Sequence, residues 1–169
     1  DTGVDYNHKN LVPNMVPGYD FRDNDADPMD LTSGQNPGHG THCAGIVAAV
    51  DNSVGVVGVA PGAAVVPVKV LDKRGSGAMS VIIAGVDFVT ANAADGDAVN
   101  MSLGGGTSTT PCDGSSLKPV IDTLRSAGIA TVISSGNDGA TNAISSPGCI
   151  SAGRVKRWRA ASSRCSAPT

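Results

Sequence analysis

AVVPVKVL, Ala64–Leu71, is apolar and rich in β-branched residues. Such a run fits a strand buried on both faces of a parallel sheet better than one that alternates between core and water. DAVNMSL (Asp97–Leu103) and IATVIS (Ile129–Ser134) read the same way. Helical periods fall between and before them. In SVIIAGVDFVTANAA, Val81, Ile82, Gly85, Val86 and Val89 recur on one face after Ser80, a candidate cap. In SSLKPVIDTLRSAG, Leu117, Val120, Ile121 and Leu124 repeat the pattern, with Pro119 in the first turn and Gly128 as the stop. The GIVAAV run after His42 supplies another helix. Helices alternating with buried strands predict an α/β fold, a doubly wound and mostly parallel sheet with helices on both faces. Such sheets carry their chemistry at the carboxyl ends of the strands. Asp1, Ser102 and Asn137 take that kind of position, given a strand before Asp1.

The totals agree with one domain. The chain has 169 residues, 40% of them hydrophobic and only 3% aromatic, with 22 glycines. No stretch approaches the roughly 18 apolar residues of a membrane span, and no targeting peptide is visible. The net charge of −3 hides a split. All the acids are aspartates before residue 153, whereas Arg154, Lys156, Arg157, Arg159 and Arg164 crowd a tail without acids. Five scattered cations are thin support for a nucleic-acid arm.

GHGTHCAGIVAAV (Gly38–Val50) sets His39 and His42 three apart, on one helix face. Three chemistries compete for that pair: a zinc site, one catalytic base with a helical neighbour, or two core residues. Zinc needs a third ligand, His8 or Asp1. The spacing is not HExxH, and the chain has no glutamate to serve as the base. Gly104–Gly106 has neither GxGxxG spacing nor a Walker lysine, so it reads as backbone that a peptide can lie against.

Five islands in order then resemble the subtilases, the subtilisin-like serine proteases of the thermitase and proteinase K kind. They are DTGVD at Asp1, HGTHCAGI at His39, GVVGVAPGA (Gly55–Ala63), NMSLGG (Asn100–Gly105) and SGNDG at Asn137. The resemblance runs from Asp1 to about Ser151. It implies a serine endopeptidase in which His39 is the base, Asp1 orients it, and Asn137 donates to the oxyanion. His42 becomes a structural residue of the next helical turn. By the same resemblance a peptide substrate adds as a strand between Ser102–Gly105 and Gly75, Ser76 and Gly77. Ser102, Leu103 and Gly104 face Ser134, Ser135 and Gly136 across the primary pocket, which carries no charge and favours a large apolar side chain.

YDFRDNDADPMD packs five aspartates into Asp20–Asp30. That density of hard oxygen suits calcium, although a solvated acidic loop fits the sequence too. The resemblance assigns Asp20, Asp25 and the Asp27 carbonyl as calcium ligands, with Met29 in place of an oxygen donor. It also assigns a second calcium to Asn52 and the carbonyls of Val50, Val54 and Val56, with Asn10 where relatives carry an aspartate. Cys43 corresponds to a buried free cysteine, packed as a small apolar group. Cys112 and Cys149 are candidates for a bond, which fits a secreted, extracellular protein.

The family's GTSMAxP nucleophile motif is absent from the 32 residues after Asn137. Ser108 in GGGTSTTP precedes Asn137 and has Pro111 too close, so it is no substitute. Residues 1–152 are therefore expected to be the front part of a subtilase catalytic domain, truncated at both ends and inactive alone. Residues 153–169 form a basic tail outside the family pattern, with a shifted reading frame as the simplest origin. The expected partner is a protein or peptide substrate, with no nucleic acid or membrane, and the protein itself is expected to be a monomer. The rival reading is a non-catalytic subtilase-like module that binds peptides. A GTSMAxP motif downstream in any frame separates the two.

Overall fold

Two glycines let the chain cross itself where the first helix begins. A Cβ on Gly40 would lie 2.0 Å from the Gly3 carbonyl oxygen, and Gly3 holds φ +104 against Pro28. The computed structural model in which this is seen describes residues 1–151, so the basic tail 153–169 lies outside the described residues. The chain forms two compact units, Asp1–Asn92 and Ala93 onward.

In the first unit, β1 (Tyr19–Asp20), α1 (His39–Ala48), β2 (Val68–Lys69) and α2 (Met79–Asn92) follow in order. β1 and β2 pair in parallel, and an isolated bridge from Met15 to Val65 extends the pairing. The expected strand Ala64–Leu71 is thus a ladder only in part. Pro67 has no amide to donate, which interrupts it, and Val66 is exposed rather than buried. α1 buries Gly40, Ala44 and Ala48, an i, i+4, i+8 stripe. Ala44 packs on Val4 and Leu11, with Met15 and Val65 at the edge of that cluster. α2 buries Ile82, Gly85 and Val86. Its close seat on β2 depends on Gly85, whose Cβ would meet a Val70 methyl at 2.6 Å. Ser80 is no cap, because the helix already starts at Met79 and the Val81 and Ile82 amides reach the Ala78 carbonyl.

The second unit holds β3 (Ala98–Met101), β4 (Gly105–Ser108), α3 (Leu117–Ser126), β5 (Ala130–Ile133) and β6 (Ile144–Ser146). β3 and β5 are parallel, with Ala98 opposite Ala130 and Met101 opposite Ile133. Met101 is buried, whereas Ala98, Asn100, Ala130 and Val132 form an exposed face. The expectation of strands buried on both sides therefore fails here. α3 packs against β5 and buries Leu117, Ile121 and Leu124 on its own side. Its end is a Schellman stop: the Ile129 amide bonds to Leu124 O and the Gly128 amide to Arg125 O, with Gly128 at φ +78. β4 pairs antiparallel with β6. Within Gly104–Gly106, Gly105 faces Ser146 across that pairing.

Candidate active site

Asp1 lies beside the carboxyl end of β2, where its carbonyl accepts the Val70 and Leu71 amides at 2.9 and 3.1 Å. Its side chain reaches His39, the first residue of α1, with Oδ1 2.7 Å from Nδ1. A carboxylate at Nδ1 keeps the proton there and leaves Nε2 free as a base. Oδ1 also accepts the Thr2 amide at 2.7 Å, while Oδ2 is buried without a partner. Burial lowers the His39 pKa below 6.5, and the charge of Asp30 works in the opposite direction.

Asp30 is the residue that sequence reasoning misplaced. It belongs to the acidic run, yet it is buried and fastens the start of α1. Its Oδ1 accepts the Thr2 hydroxyl at 2.9 Å, and its Oδ2 accepts the Thr41 amide and hydroxyl at 2.9 and 2.7 Å. The Thr2 hydroxyl in turn accepts the Gly40 amide at 3.0 Å. Two otherwise unpaired amides of the helix start are satisfied this way, and the anion sits at the positive end of the helix. Thr2, Asp30 and Thr41 thereby hold His39 against Asp1. Eleven residues separate Asp30 from Thr41, and no local motif in the sequence marks the link.

Gly75, Ser76 and Gly77 lie in a turn built on Asp72. The Asp72 carboxylate accepts the amides of Arg74 and Ser76 at 2.8 and 3.0 Å, chiefly through which its pKa falls to about 2. Gly75 takes φ +77 there. His42 is exposed on α1, and no zinc pair with His39 forms. Instead His39 groups with Asp1 and with Cys43, one residue beyond His42. Cys43 is free but half-buried, not sealed in the core as expected.

In the second unit Ser102 follows β3, and Ser134 follows β5. The Ser134 hydroxyl donates to Leu103 O at 2.8 Å, which ties Leu103 and Gly104 to Ser134. Ser135 O accepts the Ser145 amide at 2.9 Å, and Gly136 at φ +102 leaves room for the Ser145 hydroxyl, which donates to Asp138. Ser145 on β6 thus backs this loop, a role that the sequence did not reveal. Asn137 is exposed beside it. Ser108 lies in β4 with its hydroxyl on Thr110 O, at a strand and not at the start of a helix. Cys112 and Cys149 are bonded, with α-carbons 5.3 Å apart.

Asp20 is engaged in a way that does not fit a calcium ligand. Asp20 is buried and its Oδ2 lies 2.7 Å from the buried Lys69 ammonium. Its Oδ1 accepts the Arg22 and Asp23 amides. Asp25 caps the Asp27 amide, and Asp27 accepts the Tyr6 hydroxyl and the Met29 amide. Lys69 supplies the positive charge that Asp20 was expected to draw from a metal, and no three acidic side chains of the run converge. The loop after α1 is different. Asn10 Oδ1 is buried without a donor, while Asn10 Nδ2 holds Val54 O at 2.7 Å and Asn52 Oδ1 holds the Val54 amide. An orphaned buried oxygen is a group that a hard cation can satisfy.

The comparisons with known proteins point one way. The model of the subtilase family matches residues 1–158. Subtilisin of Bacillus pumilus is 41% identical over 148 residues, covering 88% of this chain and 49% of that protein. Thermitase of Thermoactinomyces vulgaris is 39% identical over 142 residues, covering 83% of this chain and 47% of that protein. A cold-adapted subtilisin-like serine proteinase of solved structure superposes with a TM-score of 0.71 at 38% identity, over 89% of this chain and 49% of that one. The chain spans about a third to a half of the length of the relatives it matches.

Proposed function

Because this chain belongs to the subtilase family, we propose that the protein it comes from is a secreted serine endopeptidase. His39 removes the proton of a serine hydroxyl as that oxygen attacks the scissile carbonyl, and later returns it to the leaving amine. Asp1 holds the imidazole tautomer and balances the imidazolium that forms. The Asn137 amide steadies the oxyanion. The observation that carries this reading is the 2.7 Å contact between Asp1 Oδ1 and His39 Nδ1. The peptide adds as a strand along Ser102–Gly104, the role that the family resemblance gives this segment. Uncharged Ser134, Ser135 and Gly136 favour a large apolar side chain in the primary pocket. The bond between Cys112 and Cys149 supports an oxidising, extracellular setting. No helix among the described residues is long and apolar enough to cross a membrane.

Residues 1–169 contain no serine in the family's nucleophile motif, so the chain alone should not hydrolyse peptides. The test uses the full-length gene product, a neutral-residue peptide substrate and a fluorophosphonate label. Labelling of one serine and loss of hydrolysis in His39→Ala are expected. Asp1→Asn should lower kcat on the order of 10⁴-fold, a size known from triad aspartates and not worked from this structure. Peptide binding without hydrolysis, or hydrolysis untouched by Asp1→Asn, would overturn the reading.

A structural calcium belongs to the same proposal, at Asn10 and Asn52 and the carbonyls around them. Chelation should lower the Tm, and Asn52→Ala should abolish that response while Asp25→Ala keeps it. The reverse pattern would return the cation to the acidic run.

A further inference from the structure

We propose that a cationic cleft beside the Asp1–His39 pair binds an acidic side chain of the peptide substrate, away from the scissile bond. Calling the ligand a substrate rests on the proposed function; the carboxylate site itself does not. The unit Asp1–Asn92 is acidic, with ten aspartates against five lysines and arginines. Four of those five cations, Arg22, Lys69, Lys73 and Arg74, line one cleft of about 430 Å³. The fifth, Lys9, is not among them. Such a gathering gives the cleft a field opposite in sign to that of the acidic surface around it.

The four cations are not equivalent. Lys69 is buried and neutralised by Asp20 at 2.7 Å. Arg74 holds Asp72 through Nε and Nη2 at 3.1 and 2.9 Å. Arg22 meets only the exposed Asp23, at 3.7 Å, a pair that water weakens. Lys73 is exposed and has no ion-pair partner among the described residues. Lys73 and Arg22 are therefore the charges left for an incoming carboxylate, and Leu31 offers its methylenes an apolar wall. The cleft adjoins the catalytic pair without containing it. The Leu71 amide is bonded to the Asp1 carbonyl at 3.1 Å, and the next residue, Asp72, is on the cleft wall. Leu31 accepts the amide of Gly38, the neighbour of His39, at 3.1 Å. The loop between them is pinned to the same wall, because Asn36 donates its amide to Lys73 O at 3.3 Å and Nδ2 to Arg74 O at 3.2 Å. A peptide with its scissile bond at His39 can thus reach the cleft with a side chain some positions away.

The experiment gives the full-length protein a series of fluorogenic peptides in which one glutamate, or one glutamine, is moved stepwise from the scissile bond. At one position glutamate should raise kcat/KM over glutamine by about two- to fivefold at low salt, the size of an exposed ion pair. That ratio should fall toward unity in about 1 M salt, where the screening length is about 3 Å. Lys73→Glu should bring the ratio below unity, whereas Lys9→Glu, the same charge change outside the cleft, should keep it. A ratio of unity at every position, or a preference that Lys9→Glu removes as fully as Lys73→Glu, overturns the proposal. A second measurement needs no hydrolysis: a capped Ala–Glu–Ala peptide at millimolar concentration should shift the amide NMR signals of Lys73 and Arg74 in the 169-residue chain more than Ala–Gln–Ala does. Equal shifts overturn the carboxylate site. Unequal shifts with no hydrolysis by the full-length protein overturn the proposed function and leave the site, so the two failures are told apart.

Discussion

Asp30→Asn keeps the shape of the side chain and removes its charge. In the native chain the carboxylate accepts three hydrogen bonds, from the Thr2 hydroxyl and from the Thr41 amide and hydroxyl. Only 5% of the residue is exposed, so water cannot take over. Hydrogen bonds to a charged group contribute about 1.5–3 kcal/mol each. An amide keeps one acceptor oxygen and points an NH₂ at donors on the other side. The Oδ2 side loses its two bonds, and the Thr41 hydroxyl recovers part of the loss by rotating. The expected destabilisation is therefore about 2–4 kcal/mol, toward the upper end of single substitutions. Urea unfolding of the 169-residue chain, followed by circular dichroism, measures it. A second readout separates this from plain loss of packing. Asp30 raises the His39 pKa, so removing its charge should lower that pKa further, as followed by NMR of the imidazole protons. A loss under about 0.5 kcal/mol, within the range of neutral surface changes, with an unmoved His39 titration would refute the role of Asp30.

Lys69→Met leaves Asp20 buried without its cation and should cost about 3–5 kcal/mol, whereas joint replacement by apolar residues should recover most of it in the same urea assay. Replacing Cys112 and Cys149 by serine opens a loop of sequence separation 37 and should cost about 3–4 kcal/mol in the chain-entropy account, read as a shift of the urea midpoint. The His39 pKa is lowered by burial, so the neutral form is favoured in the folded state. The associated stability is complete above the ordinary 6.5 and is lost as pH falls through the lower folded value. Hydrolysis by the full-length protein should follow the same limb, with its acid midpoint below 6.5; a midpoint above it would contradict the assigned environment.

Periodicity and short motifs carried much of this protein. The helices over Met79–Asn92 and Leu117–Ser126 follow from apolar residues three and four apart, a spacing that water enforces locally. The Gly128 stop is equally local, since a left-handed turn admits glycine without strain. Asp1 and His39 stood out because the islands around them resemble one family as a set, and the fold sets their side chains 2.7 Å apart. Other features depend on partners far along the chain, and there the sequence is silent. Nothing near Asp20 announces that Lys69 will neutralise it, so a run of aspartates reads as a metal loop until the fold supplies an internal cation. Asp30 looks like one acid among five, and only the crossing of Gly3 under Gly40 brings Thr2 and Thr41 to it. An apolar run likewise shows that a strand wants cover but not whether cover exists. Val66 and Val132 are exposed because burial is decided by what packs on each face, which is a property of the assembled chain and not of the strand.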